Sequence, residues 1–141
     1  MIYNGRSPQL FNPHVEKEEF VLSAGRLWDA GKQVSLLAVR DCGWPVVIAG
    51  ATEHADAAYR GDCGELISAG KLELKGPQSS GQLRSLFSRA AVYAVTSRYE
   101  PFGLAPVEAA LSRCAIVAND IPSLRELWGE TAWYFKRNDA D

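Results

Sequence analysis

Ser97-Arg98-Tyr99-Glu100-Pro101-Phe102-Gly103-Leu104-Ala105-Pro106-Val107-Glu108-Ala109-Ala110 sets two carboxylates eight residues apart across a loop that opens into a helix. Pro101 and Gly103 shape the loop, Pro106 suits a first helical turn, and residues 109–111 continue it. The first backbone N–H groups of a helix have no intrahelical partner, so those near Gly103 and Leu104 face outward and attract anions. A carboxylate pair beside such donors suits a ligand that carries hydroxyls and phosphate together. Each acid also has an ordinary reading: Glu108 as an acid in a first helical turn, worth about 0.3–1 kcal/mol against the helix dipole, and Glu100 as a loop carboxylate.

Working outward, short apolar runs alternate with helix-length segments. Strands are predicted at 20–23, 46–49, 72–74, 92–95 and 115–118, with a final one around Trp133-Tyr134-Phe135, and helix-length segments at 34–39, 82–89 and 104–112. Apolar runs without polar alternation suit strands covered on both sides, which predicts an α/β, Rossmann-like parallel sheet with helices on both faces. The crevice of such a sheet lies beyond the carboxyl ends of its strands. Chemistry is therefore sought at Gly25-Arg26, Gly50-Ala51, Lys75-Gly76, residues 97–100 and Asn119-Asp120. Residues 51–70 read as an irregular connection. Ser123 is expected to cap a helix after Asp120, with Glu126 completing a capping box.

Composition narrows the function classes. At 141 residues and 47% hydrophobic content the chain forms one domain able to bury its own core. A net charge of −2 without a Lys/Arg run argues against nucleic acid or an anionic membrane bound through bulk electrostatics, so any phosphate contact is local. Cys42, Cys63 and Cys114 lack metal-type spacing, which favours reduced thiols in a cytoplasmic protein. His14 and His54 have no partner at ligand spacing, so neither a metal nor a cofactor is expected. Asp139-Ala140-Asp141 reads as solvated charge on a tail. No apolar run approaches the roughly 20 residues that span a bilayer, and no P-loop or nucleophile elbow occurs. Both ends read as trimmed, as in a fragment.

A second constellation is cationic. Gly25-Arg26-Leu27-Trp28-Asp29-Ala30-Gly31-Lys32 follows the strand at 20–23. A diphosphate needs countercharge where a strand ends: Arg26 can fork onto phosphate oxygens, and Lys32 supplies a compact charge. The ordinary reading is a solvated Arg and a Lys near a helix start, mildly unfavourable against its dipole.

These stretches together resemble the retaining GT-B glycosyltransferases (glycosyltransferase family 4, glycosyl transferases group 1). The segment at 97–110 is similar to their Glu-x7-Glu motif, and Gly25-Arg26-Leu27 with Gly31-Lys32 to their Gly-Arg-Leu and Gly-Lys pattern. The resemblance runs from Tyr3-Asn4-Gly5 to Trp128-Gly129 and implies the C-terminal half of a GT-B fold, spanning residues 1–141, with the N-terminal acceptor domain absent. It implies sugar transfer from a UDP-, GDP- or ADP-sugar to an acceptor hydroxyl with retained configuration, metal-independent. Arg26 and Lys32 would stabilise the leaving diphosphate. Glu100 would bond sugar hydroxyls, Glu108 the ribose, and the backbone from Phe102 through Gly103 to Leu104 the sugar and phosphate. Gly25 would line the donor site, and Lys75 with Gly76 would hold the base through backbone groups. Without the acceptor domain, the chain is expected to bind donor but not to turn it over. The competing readings are a non-catalytic nucleotide-binding or interaction module, half of a nucleotide-sugar epimerase or phosphorylase of the same fold, and a doubly wound domain without a ligand.

Overall fold

A computed structural model describes residues 4–38, 41–51 and 67–136. The expected strands form: β1 (Glu18–Ala24), β2 (Val46–Ala49), β3 (Leu72–Gly76), β4 (Ala90–Val95), β5 (Ala115–Asn119) and β6 (Trp133–Phe135). Among the described residues, three α-helices follow β3, β4 and β5: α1 (Ser80–Arg89), α2 (Leu104–Leu111) and α3 (Pro122–Trp128). All strand pairs are parallel, in the order β3-β2-β1-β4-β5-β6. The chain runs outward from β1 to one edge, returns to β4 beside β1, and runs to the other. The β1/β4 boundary is therefore the topological switch point, where a crevice opens beyond the strand ends.

The two faces follow from strand alternation. Phe20 and Leu22 of β1 join Val47, Tyr93, Ile116 and the helical Leu86, Phe87, Ala109 and Leu124 in one cluster. Val21 packs on the other side with Val46, Ile48, Leu72, Val34 and Ala38. Right-handed crossovers require this division, since connections that advance in opposite directions along a sheet must cover opposite faces. The second face carries a 3-10 helix, Val34–Ala38, and not the α-helix expected at 34–39. Gln33 before it is left-handed at φ 49°, and a five-residue segment suits the tighter i→i+3 geometry.

Caps also depart from expectation. Helix α3 starts at Pro122 with Ile121 as N-cap and no side-chain cap bond, so the Ser123–Glu126 capping box does not form. Proline, with no N–H and a preset φ, takes the first helical position and moves Ser123 inside the helix. A capping box forms instead at α1, where the Ser79 hydroxyl accepts from the Gln82 N–H and the Gln82 side chain accepts from the Ser79 N–H. The predicted irregular connection lies largely at 52–66, and His54, Cys63 and the Asp139/Asp141 tail share its position outside the described residues.

At the opposite end from the crevice, the Lys17 ammonium donates to the carbonyls of Phe87 (3.0 Å), Ser88 (2.9 Å) and Ser112 (2.6 Å), tying the carboxyl ends of α1 and α2 together. Burial pulls its pKa below the ordinary lysine range, partly opposed by Cys114. Lys17→Met is expected to lower stability by about 1–2 kcal/mol, since charge-assisted bonds and a favourable helix-end charge are lost together. Urea unfolding checks this. Among the described residues no helix is long and apolar enough to cross a membrane.

Candidate active site

A hollow of about 90 Å³ sits at the switch point, bordered by Ala24, Lys32, Tyr93, Ser97, Glu100 and Leu104 among others. The loop after β1 brings Lys32 there and the loop after β4 brings Glu100. Their side chains pair at 2.6 Å, Lys32 Nζ to Glu100 Oε2, and the Ser97 hydroxyl donates to the same carboxylate oxygen at 3.3 Å. The two loops are stitched by backbone as well. The Arg98 N–H donates to the Gly31 carbonyl at 2.8 Å, and the Thr96 hydroxyl donates to the Lys32 carbonyl at 2.6 Å. Behind them, fully buried Asn119 donates its Nδ2 to the Ser97 carbonyl at 3.1 Å, fixing the β4 loop from the β5 side.

Tyr93 is also part of this wall. Burial pushes its hydroxyl pKa well above the usual phenol range, with Glu100 and Glu108 acting in the same direction, while contact with the Ala24 backbone opposes. It stays a neutral phenol at working pH.

Helix α2 begins beside the hollow. Its N-cap, Gly103, lies at φ 76° with no side-chain cap bond, so the first N–H groups of the helix are left for a ligand. A Cβ on Gly103 would meet Pro106 Cγ at 2.9 Å and Glu100 Cγ at 3.0 Å. Gly103→Ala combines left-handed strain with that crowding and is expected to cost about 2 kcal/mol while displacing Glu100. Urea unfolding measures the first effect and ligand titration the second.

The remaining predicted residues divide. Gly25 adjoins the hollow through Lys32, whose Cβ would lie 3.6 Å from a Cβ added there, an ordinary contact. Arg26 turns away: its side chain is 56% exposed, and its guanidinium bonds Asp29 at 2.8 Å and lies 4.7 Å from the Trp28 ring centre. Glu108 falls in the second turn of α2, because the helix starts at Leu104, and its carboxylate pairs with Arg6 from the N-terminal segment. Phe102 borders a separate apolar groove with Val107 and Trp128. Lys75 lies within β3, not after it, and pairs with Glu73 at 2.6 Å on the helical face of the sheet. The β3 run continues through Gly76 because its carbonyl accepts the Gly50 N–H at 2.9 Å. Lys32, Glu100, Gly103 and Leu104 thus meet in one hollow, while the side chains of Arg26, Glu108, Phe102 and Lys75 do not border it.

Asn119 stands among the strand ends singled out by sequence, without a role given to its side chain, whereas Tyr93 and Thr96 do not. Their signal was a polar group inside, or directly after, an otherwise apolar strand at its carboxyl end.

Several known proteins share this architecture. The glycosyltransferase AviGT4, involved in avilamycin A biosynthesis, superposes with a TM-score of 0.82 at 20% identity over 99% of this chain and 44% of its own. Anabaena Alr3699/HepE in complex with UDP-glucose superposes at 0.75, with 18% identity over 99% of this chain and 44% of its own. In sequence, the O-antigen chain mannosyltransferase RfbU of Salmonella typhimurium is 26% identical over 99% of this chain. The chain spans 40% of that relative's length. The family described as glycosyl transferases group 1 matches residues 9–141, and the chain belongs to it.

Proposed function

We propose that this chain is the donor-binding, C-terminal half of a GT-B enzyme that transfers a sugar from a nucleoside-diphosphate sugar to an acceptor hydroxyl with retention of configuration. The observation that carries the reading is the Lys32–Glu100 pair at the β1/β4 switch point, beside the uncapped start of α2. A cation, a carboxylate and free backbone donors within one hollow match a ligand with phosphate at one end and hydroxyls at the other. That HepE is described in complex with UDP-glucose and RfbU as a mannosyltransferase supports a nucleotide-sugar donor.

In this reading the Lys32 ammonium and the Leu104 N–H face the oxygens of the departing diphosphate, where charge develops as the glycosidic bond breaks. Glu100, already accepting from Lys32 and Ser97, accepts sugar hydroxyls and orients the ring. Glu108 accepts the ribose hydroxyls. Arg26 leaves Asp29 and Trp28 to fork onto the second phosphate. Lys32, Arg26 and the helix start supply the countercharge, so this chain's part of the reaction is metal-independent. The acceptor attacks from the face on which the diphosphate leaves.

The hollow is small against the roughly 300–1,000 Å³ of complete ligand sites. The rest of the donor surface and the acceptor site belong to an N-terminal domain, and the chain alone binds donor without transferring it.

Calorimetry with UDP, GDP and ADP and their sugars tests the reading, together with turnover assays on simple acceptors. Binding that needs the diphosphate, without transfer, is expected. Transfer by the chain alone would refute the half-site account, and binding of nucleosides as strong as that of diphosphates would refute the phosphate site.

A further inference from the structure

The Glu108 carboxylate is already occupied, and its partner comes from outside the crevice loops. Arg6 Nε donates to Glu108 Oε1 across 102 positions of sequence. Arg6 stands in an irregular segment before the short 3-10 turn Pro8–Leu10, and that segment is fastened to the core at Phe11, 7% exposed. The two ends of the pair differ in freedom: the Glu108 side chain is 15% exposed and the Arg6 side chain 41%. The carboxylate is held by its helix, whereas the guanidinium can swing into water.

Arg6 and Glu108 also border a hollow of about 410 Å³ on the α1 side, with Leu10, Phe11, Leu83 and Arg84. Arg84, which borders the same hollow, has no ion-pair partner among the described residues, so Arg6 is the cation that engages the carboxylate.

We propose that Arg6 is a latch on Glu108, which a vicinal diol must displace before the carboxylate can accept both of its hydroxyls. The inference rests on the reading of Glu108 as a ribose acceptor. A carboxylate has acceptor sites for more than one donor, but a diol needs both oxygens presented together, and Arg6 holds one of them. An ion pair exposed at one end is weak enough to exchange, so the latch lowers affinity without closing the site. It acts only on ligands that carry the diol.

The test is calorimetry at low salt on the parent chain, Arg6→Gln and Glu108→Gln, using UDP, GDP and their 2′,3′-dideoxy counterparts. Arg6→Gln is expected to tighten the ribonucleotide about two- to fivefold, the range of an exposed ion pair, and to leave the dideoxynucleotide unchanged. Raising the salt concentration should shrink the difference, because the pair is partly exposed. Unchanged or weaker ribonucleotide binding by Arg6→Gln overturns the latch. If in that case Glu108→Gln weakens the ribonucleotide and leaves the dideoxynucleotide unchanged, the ribose reading stands and only the latch falls. If Glu108→Gln weakens both ligands equally, or neither nucleotide binds the parent, both fall together.

Discussion

Lys32→Met is expected to weaken diphosphate binding by about 10- to 100-fold, the range of a charge-assisted hydrogen bond. Two effects add. The phosphate loses its nearest cation, and Glu100, only 13% exposed at its side chain, loses its neutralising partner and turns a bare carboxylate toward the incoming anion. Calorimetry with UDP or GDP reads the sum, and Lys32→Arg separates the two by restoring charge without the same reach. Arg26→Ala should cost less, nearer tenfold, because binding must first draw this guanidinium away from Asp29 and Trp28. A larger loss for Arg26 than for Lys32 would reverse the order of importance inferred from the geometry.

Gly50→Ala is expected to destabilise the fold by about 3 kcal/mol or more, the upper range for overpacking. A Cβ built there would lie 1.7 Å from the Gly25 carbonyl oxygen and 2.6 Å from its carbon. Both are backbone atoms at the edge of the crevice. They cannot step aside, because the Gly25 N–H is bonded to the Ala49 carbonyl and the Gly50 N–H to that of Gly76, both at 2.9 Å. The substitution would spread β1 from β2 where the Arg26 and Lys32 loop begins. Urea unfolding and circular dichroism check it. A stability loss below about 1 kcal/mol, the centre of ordinary substitutions, would show that the two loops are looser than their hydrogen bonds imply.

The sheet was legible because its signal is local. Unbroken runs such as Val46-Val47-Ile48-Ala49 announce burial on both faces, and all four residues are buried. Even the three-residue β6 could be read from Trp133-Tyr134-Phe135. Helix boundaries were less legible, because a cap is a competition between neighbours. Pro122 outcompetes Ser123, while Ser79 and Gln82, not singled out from the sequence, form the box that the structure shows.

The site was legible to the level of its loops. The rule that chemistry follows strand ends led to Lys32 and Glu100, and the unpaired donors of a helix start led to Gly103. It did not show which partners each charge selects. Arg26 is taken by Asp29 three residues away, a pairing that sequence spacing permits, whereas Glu108 is taken by Arg6, which only the fold brings near. Of the glycines after β1 and β2, Gly50 is the one that a Cβ would crowd against backbone, while Gly25 meets only ordinary contacts; such close approach depends on the neighbouring backbone and leaves no mark in residue type.

Backbone amide shifts of the isotopically labelled chain, followed by nuclear magnetic resonance during titration with UDP or GDP, test the central claim most directly. The account predicts that the largest changes fall on Lys32, Ser97, Glu100, Gly103 and Leu104, around the β1/β4 switch point and the start of α2. Changes concentrated instead at Glu18, Glu73 and Arg89, on the far end of the sheet, would contradict it.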